Sequence, residues 1–321
     1  MKRYFLICPL CLILLIFTVV CPVRADYKQA VTYYSQKDYN RAIQELKPDL
    51  DKSPNWEFGH RLLGLCYLGI NNNALAVSSL SRAAELNSTA FSTYYGLGQA
   101  YFNMQRYNYA IASMNRAEPL AAKESNPEAE KAKIYLIRGS AYYRANRYAN
   151  AIDDLQNAIR TKSSDWTLYS MLGISYFNLN RTDEAIQALE KAISLKPGEE
   201  MTKDVLGKAY LKKGVQSLSD KQYAAAVQAL TKARSHNPDD GYVNYNLAEA
   251  YLFQKQYPAA EKALVAASNQ LPNNSGVLTR LGLVYERQNK RDLALKAYQK
   301  AYELNPSEEL KEAVARFSGK K

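Results

Sequence analysis

The sequence has few of the side chains on which most catalytic and metal sites depend. Its 321 residues include two histidines, His60 and His236, and four cysteines. Three cysteines lie within the first 25 residues, so only Cys66 remains beyond them. No metal-ligand spacing, phosphate-binding loop or nucleophile motif is present. The sequence therefore predicts no catalytic residue, no metal site and no cofactor, and no internal disulfide in a chain that lacks residues 1–25.

The charged residues form no long run of one sign. The formal net charge is +11, and residues 1–25 hold three basic residues and no acidic one. The remaining chain has 39 Lys and Arg against 31 Asp and Glu, and the two signs are interleaved. A nucleic-acid footprint would need Lys and Arg clustered on one face. We therefore expect a solvated surface and no nucleic-acid partner.

A long apolar run occurs only at the N-terminus. Two basic residues precede an apolar segment at 4–20, and the compact residues Val23 and Ala25 precede a cleavage point after Ala25. This order is typical of a secretory signal peptide, so 1–25 is predicted to be removed and the protein to be periplasmic or secreted. Two alternatives stay open: a lipoprotein cleavage box at 18–21, and an uncleaved segment that anchors the chain in a membrane. An anchored chain with this positive N-terminus would still lie outside the cytoplasm.

The rest of the chain repeats one pattern, in which alanine follows a small residue after twelve positions. The pairs are Ala30/Ala42, Gly64/Ala76, Gly98/Ala110, Gly139/Ala151, Gly173/Ala185, Gly214/Ala226, Ala248/Ala260 and Gly282/Ala294. Tyrosine usually stands three residues after the small one, and five units have proline twelve residues after the alanine. Apolar residues recur at helical spacing, which predicts two amphipathic helices per unit, A and B. The small residues predict a close approach of the two backbones.

This pattern resembles the tetratricopeptide repeat, as in LGISYFNLNRTDEAIQALEKAISLKP at 172–197. The resemblance covers eight units within domain 26–308, the first of them clipped by signal cleavage: 23–56, 57–90, 91–124, 132–165, 166–199, 207–240, 241–274 and 275–308. It implies an all-α fold, an α-solenoid coiled as a right-handed superhelix. It also implies a concave groove that is lined by the A helices and binds peptides or protein segments. Residues 309–321 are predicted to be a capping helix and a basic tail, with Ser307 as N-cap.

Two insertions interrupt the 34-residue period. The small positions are 41 residues apart before repeats 4 and 6, which is seven more than elsewhere. Seven residues are about two helical turns, so an insertion of this length keeps the helix faces in phase. Each insertion is therefore predicted to lengthen helix A at its start. Asn126 would cap the first long helix, and residues 197–200 would begin the second.

Repeat 6 departs from the pattern at three further places. Gly207 lies two turns before Gly214 on the same face. We expect it to extend the close-packed seam against the preceding helix B, at 185–194. Lys213 and Ser217 replace the usual leucine and tyrosine, which predicts looser packing of this helix A.

Most of the 26 tyrosines occupy recurring packing positions, as do His60 and Cys66. With the small residue as position 8, the groove stripe of helix A is expected at positions 2, 5, 9, 12 and 13. Aromatic, Arg and Asn side chains there suit a peptide ligand. The predicted groove residues are Tyr95, Phe102, Asn103, Tyr143, Arg144, Phe177 and Asn178. Position 9 holds no Asn in any repeat, so the family's clamp for C-terminal carboxylates is not expected.

The leading functional hypothesis is a non-enzymatic adaptor or scaffold of the bacterial periplasm or cell envelope. It would bind a protein or peptide partner in the groove, remain monomeric without that partner, and contact a membrane only through an uncleaved N-terminal segment. Two alternatives stay open. One is a membrane-anchored scaffold that self-associates, and the other is a module that binds envelope glycan or peptidoglycan through its aromatic groove.

Overall fold

The structure is a computed structural model that describes residues 27–318, so the predicted signal peptide and residues 319–321 lie outside it. The described residues form seventeen α-helices and no strand. The A helices of successive repeats are α1 (Tyr27–Ser35), α3 (Glu57–Gly69), α5 (Phe91–Asn103), α7 (Pro127–Arg144), α9 (Trp166–Asn178), α11 (Glu200–Ser219), α13 (Gly241–Phe253) and α15 (Ser275–Arg287). The B helices are α2 (Tyr39–Lys52), α4 (Asn73–Glu85), α6 (Tyr107–Ala121), α8 (Tyr148–Thr161), α10 (Thr182–Leu195), α12 (Tyr223–His236), α14 (Tyr257–Gln270) and α16 (Arg291–Leu304), and α17 (Glu308–Ser318) follows them.

The chain divides into two compact units, Met1–Ala100 and Tyr101–Lys321, with the boundary inside α5. Each of α1 to α3 packs against the next helix in the chain, and so does each of α6 to α16. This arrangement of consecutive helix pairs is the predicted all-α solenoid. Apolar faces meet between neighbouring helices, and the clusters of buried residues follow one another along each unit.

The turn from helix A to helix B is the same in all eight pairs. One residue there has a left-handed backbone, with φ between 58° and 62°: Lys37, Asn71, Gln105, Asn146, Asn180, Lys221, Lys255 and Asn289. In repeat 5, Asn180 N donates to Phe177 O at 3.0 Å and Arg181 N donates to Tyr176 O at 2.9 Å. This pair of hydrogen bonds is the Schellman motif, which ends a helix by satisfying its last carbonyl groups. The recurring tyrosine therefore marks the residue whose carbonyl group closes the turn.

The predicted close approach within a helix pair is confirmed in repeats 2, 5 and 6. All eight recurring alanines are fully buried. A Cβ atom added at Gly64, Gly173 or Gly214 would lie 2.5 to 2.6 Å from a leucine Cγ atom of helix B. In each case that leucine stands four residues after the recurring alanine, so the tightest contact lies one turn further along helix B than the sequence pattern indicated.

The prediction of looser packing in repeat 6 is wrong. The added Cβ atom at Gly214 would lie 2.5 Å from Leu230 Cγ, as close as the equivalent contact in repeat 2. Ser217 is buried at the tyrosine position, and Lys213 points outward to pair with Asp183 at 2.7 Å. The polar side chains are therefore accommodated without separating the helices.

The two insertions lengthen helix A at its start, as predicted. Helices α7 and α11 have 18 and 20 residues, whereas α9 has 13. Asn126 caps the first long helix, because its side chain accepts a hydrogen bond from Ala129 N at 3.2 Å. The second long helix begins at Glu200.

Gly207 lies in the second long helix, and the prediction that it packs against the preceding helix B, α10, is wrong. An added Cβ atom at Gly207 would meet the side chain of Asn237 at 2.7 to 2.9 Å. Asn237 follows α12, the helix B of the same repeat, and its amide donates to Asp204 Oδ1 at 3.2 Å. The extra turns of α11 therefore continue the seam against α12, and Gly207 faces the end of that helix.

Helix α17 closes the second unit. Ser307 Oγ accepts a hydrogen bond from Leu310 N at 3.2 Å, which confirms the predicted N-cap. Leu310 and Ala313 are buried, and the ring of Phe317 stacks on Tyr298 of α16 with centroids 5.9 Å apart. The last helix B thus has an amphipathic helix on its outer face, as terminal capping of a repeat array requires.

Candidate functional site

Six of the seven predicted groove residues belong to the last turn of an A helix, directly before its Schellman turn. Phe102 and Asn103 end α5, and the equivalent pairs end α7 and α9. These residues share positions 12 and 13 of repeats 3 to 5 and belong to the second unit. Tyr95 belongs to the first unit, where it is half-buried and stacks on Phe91 at 5.3 Å.

The aromatic rings at position 12 are half-buried rather than fully exposed. Phe102 contacts Tyr107, with ring centroids 5.8 Å apart, and Tyr143 contacts Tyr148 at 6.2 Å. In both repeats the partner is the first residue of helix B. Tyr143 and Phe177 also pack against one core cluster, which places them in the same part of the second unit. One side of each ring therefore supports the fold, and a ligand could contact only the remainder.

The polar residues at position 13 are exposed. The Arg144 guanidinium carbon lies 5.9 Å from the centroid of the Tyr143 ring, within reach of a cation–π interaction. Asn178 Nδ2 donates to Ile174 O at 2.8 Å, a bond within its own helix. That bond uses one N–H group and fixes the direction of the amide, whose oxygen takes no part in it.

Lys212 is a groove candidate that the sequence pattern did not identify. Its ammonium nitrogen lies 6.0 Å from the centroid of the Phe177 ring and donates to Asn180 Oδ1. Lys212 stands at position 6 of repeat 6, outside the expected stripe. The equivalent residues of repeats 4 and 5 are the apolar Ile137 and Met171. The change from apolar to basic at this position was the signal available in the sequence.

The expected stripe also needs a correction at position 5. Ser170, at this position in repeat 5, is buried, and its hydroxyl group lies 2.9 Å from Thr202 Oγ1 on α11. This residue holds two A helices together and presents no surface to a ligand. Within repeats 4 to 6, we restrict the candidate site to residues near position 6 and at positions 12 and 13. We refer to Tyr143, Arg144, Phe177, Asn178 and Lys212 as the helix-A surface.

Two cations of the helix-A surface have no acidic partner. Across residues 27–318, neither Arg144 nor Lys212 forms an ion pair with Asp or Glu. Other lysines of α11 do: Lys208 pairs with Asp204 at 2.7 Å and Lys203 pairs with Glu200 at 2.9 Å. The surface thus combines half-buried rings, an amide and uncompensated positive charge.

The remaining reactive side chains have structural surroundings. Cys66 is fully buried, and burial raises the pKa of its thiol to about 12, which removes the thiolate needed for nucleophilic chemistry. His60 Nε2 lies 2.8 Å from Pro54 O. Across residues 27–318, no three His, Cys, Asp or Glu side chains form a group that could hold a metal ion. No helix in that range has the length and hydropathy to cross a membrane.

Four stretches of the chain match sequence models described as tetratricopeptide repeat: residues 91–123, 136–200, 217–281 and 276–308. Together these stretches cover more than half of the chain. A curated relative, the BBSome complex member BBS4 homolog of Drosophila melanogaster, is 25% identical over 113 residues, 35% of this chain. The match spans only 22% of that relative's length.

Solved structures give similar matches. A MamA fragment from Desulfovibrio magneticus RS-1 is 24% identical, covering 56% of this chain and 97% of its own, with a TM-score of 0.39. YrrB, described as a TPR protein with an unusual peptide-binding site, is 20% identical, covering 57% of this chain and 91% of its own, with a TM-score of 0.41.

The sequence matches agree with the helix pairs, the recurring turn and the buried alanines described above. Repeats of this family serve as scaffolds for protein–protein interaction. The chain belongs to the tetratricopeptide repeat family.

Proposed function

We propose that the protein is a non-enzymatic adaptor that binds a segment of a partner protein on the helix-A surface. The observation that carries this proposal is the pair of cations, Arg144 and Lys212, that lie beside the rings of Tyr143 and Phe177 without an acidic partner. Tyrosine and arginine are enriched among the few residues that dominate the binding energy of protein interfaces. Arg144 and the Asn178 amide would contact main-chain or carboxylate oxygens of the segment, and the exposed sides of the rings would contact its apolar side chains.

Capture of partners by purified protein tests this proposal. The immobilised wild type is compared with the double variant Arg144→Ala/Asn178→Ala in extracts of the cells that make the protein. We expect the recovery of the main partner to fall at least about tenfold, which corresponds to about 1.4 kcal/mol of binding free energy. A matched control is Arg160→Ala/Gln187→Ala, which changes two exposed residues of helices α8 and α10.

The control variant should capture the partner as the wild type does. Undiminished capture by a well-folded Arg144→Ala/Asn178→Ala variant would contradict the proposal.

The oligomeric state gives an independent check. We propose that the protein is monomeric without its partner, and sedimentation of the purified chain measures its mass. A concentration-dependent dimer or larger species would instead favour a self-associating scaffold.

We further propose that the protein acts outside the cytoplasm, in the bacterial periplasm or cell envelope. The support is the N-terminal sequence alone, with its basic start, its apolar segment at 4–20 and the compact residues before position 26. The intact mass of the protein recovered from its own cells tests this proposal. A chain that begins at Asp26 is expected, whereas an uncleaved chain in the cytoplasmic fraction would contradict it.

A further inference from the structure

Two clefts of the molecule occupy the same place in different repeats. One lies in the first unit between α2 and α4, and the other lies in the second unit between α12 and α14. Both are lined by positions 25, 28, 29 and 32 of one repeat and by positions 4, 22 and 26 of the next. The repeat itself therefore leaves a space between consecutive B helices, and the residue at position 4 projects toward it from helix A.

Tyrosine fills this space in repeat 6. Tyr210, at position 4, is 4% exposed, and its hydroxyl group donates to Glu190 and accepts from Lys232 Nζ at 2.8 Å. Glu190 and Lys232 hold positions 25 and 26, which line the clefts elsewhere. Burial raises the pKa of Glu190, but the hydrogen bonds from Tyr210 and Lys232 outweigh burial and lower it. The ring thus belongs to a core cluster and stacks on His236, while its hydroxyl group contacts the Glu190–Lys232 ion pair.

Repeat 7 lacks this tyrosine. Repeats 3, 4, 5 and 6 have tyrosine at position 4, whereas repeat 7 has Asn244. The Asn244 side chain is buried and held within the protein, because its amide donates to Pro238 O at 3.2 Å and to Gln270 Oε1 at 3.0 Å. The shorter residue leaves a cleft of about 440 Å³. Ligand pockets have volumes of roughly 300–1,000 Å³.

The cleft of repeat 7 is also positively charged. Arg234 and Lys262 line it, no acidic residue does, and neither cation forms an ion pair within residues 27–318. The equivalent cleft of the first unit has balanced charges. It is lined by two basic and two acidic residues, and one of these, Arg82, pairs with Glu85 at 3.0 Å. The two clefts therefore share a position in the repeat but differ in the ligand charge they favour.

We propose that the cleft between α12 and α14 binds a partner segment by an aromatic side chain with an adjacent carboxylate. The ring enters the space that tyrosine fills in repeat 6, and the carboxylate pairs with Arg234 and Lys262. A chain that ends in tyrosine or phenylalanine has both groups on one residue. This surface is formed by B helices and the start of an A helix, so the proposal does not depend on the helix-A surface.

Binding of N-acetyl-L-tyrosine to the full chain tests the proposal, because this probe carries the ring and the carboxylate alone. Titration by calorimetry or by chemical-shift changes should give one saturable site with a Kd on the order of 1 mM. N-acetyl-L-tyrosine amide, which lacks the carboxylate, and N-acetyl-L-alanine, which lacks the ring, should each bind at least about tenfold more weakly. Absence of saturable binding by the wild type would overturn the proposal.

The variant Asn244→Tyr supplies the missing ring and should abolish binding of the probe. His60→Tyr makes the same change at the equivalent position of the first unit and should leave the Kd unchanged. Arg234→Glu/Lys262→Glu retains Asn244, so it tests the charge even if Asn244→Tyr fails to fold, and it should also abolish binding. Thermal melting confirms which variants are folded.

Three further outcomes would overturn the proposal. One is unchanged binding by a folded Asn244→Tyr or Arg234→Glu/Lys262→Glu variant. Another is equal affinity for the acid and its amide. The third is loss of binding in His60→Tyr alone, which would place the ligand in the cleft of the first unit. Arg144→Ala/Asn178→Ala should bind the probe normally, so this result separates the cleft from the helix-A surface.

Discussion

The small residue of helix A sets the distance between the two helices of a repeat. In repeat 6, the backbone of Gly214 lies against Leu230, whose side chain is fully buried. Gly207, two turns earlier, faces the side chain of Asn237 at the end of α12. Both glycines lie inside a helix, where alanine would be favoured by about 1 kcal/mol. The neighbours of the two residues therefore decide the effect of a substitution.

We predict that Gly214→Ala destabilises the protein and that Gly207→Ala changes its stability little. The added methyl group at 214 would overlap a buried leucine, and overpacking of this kind costs about 1–3 kcal/mol. At 207 the side chain of Asn237 can swing away, although it loses its bond to Asp204, and the gain in helix propensity offsets that loss. Urea unfolding midpoints of the two variants measure the difference. Equal destabilisation by both would contradict the account of the seam.

The burial of Cys66 leads to a second prediction at the scale of single residues. A chain that begins at Asp26 has this cysteine alone. With a pKa of about 12, its thiol is almost entirely protonated at pH 8, whereas an ordinary cysteine has a pKa near 8.5. Ellman's reagent should therefore leave the folded protein unmodified and react fully after unfolding in urea. Rapid modification of the folded protein would show that Cys66 is accessible.

Arg138 connects three helices around the first insertion. Its guanidinium donates to Asp154 of α8 at 2.7 Å and to Glu118 of α6 at 2.5 Å, while Arg138 itself belongs to α7. The side chains of Arg138 and Asp154 are 11% and 7% exposed. Leucine occupies the equivalent position in several other repeats, such as Leu172. A buried ion pair thus replaces an apolar contact in the middle of the longer helix.

We predict that Arg138→Leu destabilises the protein by about 3 kcal/mol, because it leaves the buried Asp154 carboxylate without its partner. Adding Asp154→Ala to that variant should recover part of the loss, with a coupling free energy of at least about 1 kcal/mol. Glu308→Gln, which removes an exposed ion pair with Lys311, should change stability by less than about 0.5 kcal/mol. Additive effects of Arg138→Leu and Asp154→Ala would contradict this interpretation.

The sequence predicted the helices well because the period repeats the same packing information eight times. The cap at Asn126, the long helices α7 and α11 and the cap at Ser307 follow from local residue preferences. Two details within the repeats were not predicted. The turn residue with positive φ is Asn in four repeats but Lys or Gln in the other four, and Lys and Gln do not mark this conformation. The partner of Gly207 depends on where α12 ends, which the sequence period does not specify.

The residues of the helix-A surface were predicted only in part. Arg144 and Asn178 were identified because exposed polar residues interrupt an apolar helix end. Lys212 was missed because it comes from the next repeat, at a position that is usually apolar. The cleft of repeat 7 was missed because its signal is a missing tyrosine: Asn244 stands at position 4, where repeats 3 to 6 have tyrosine. The space left there also depends on how two B helices pack.

Across the whole molecule, one group of residues holds the repeats together, and we propose that a second group faces a partner. The seam, the Schellman turns and the Arg138 cluster belong to the first group. We propose that the helix-A surface forms the second group, because its cations are uncompensated where neighbouring lysines are paired. The central claim is therefore that a partner protein contacts the surface around Phe177, beside Arg144 and Lys212.

Site-specific photo-crosslinking in the cells that make the protein tests this claim most directly. A photoreactive phenylalanine analogue replaces Phe177 in one form and the exposed Gln187 of α10 in another. The account predicts a discrete adduct with a partner protein from position 177 and none from position 187. It also predicts that Arg144→Ala/Lys212→Ala reduces the adduct at least about tenfold. An adduct of equal yield from position 187, or one unaffected by removal of the two cations, would contradict the account.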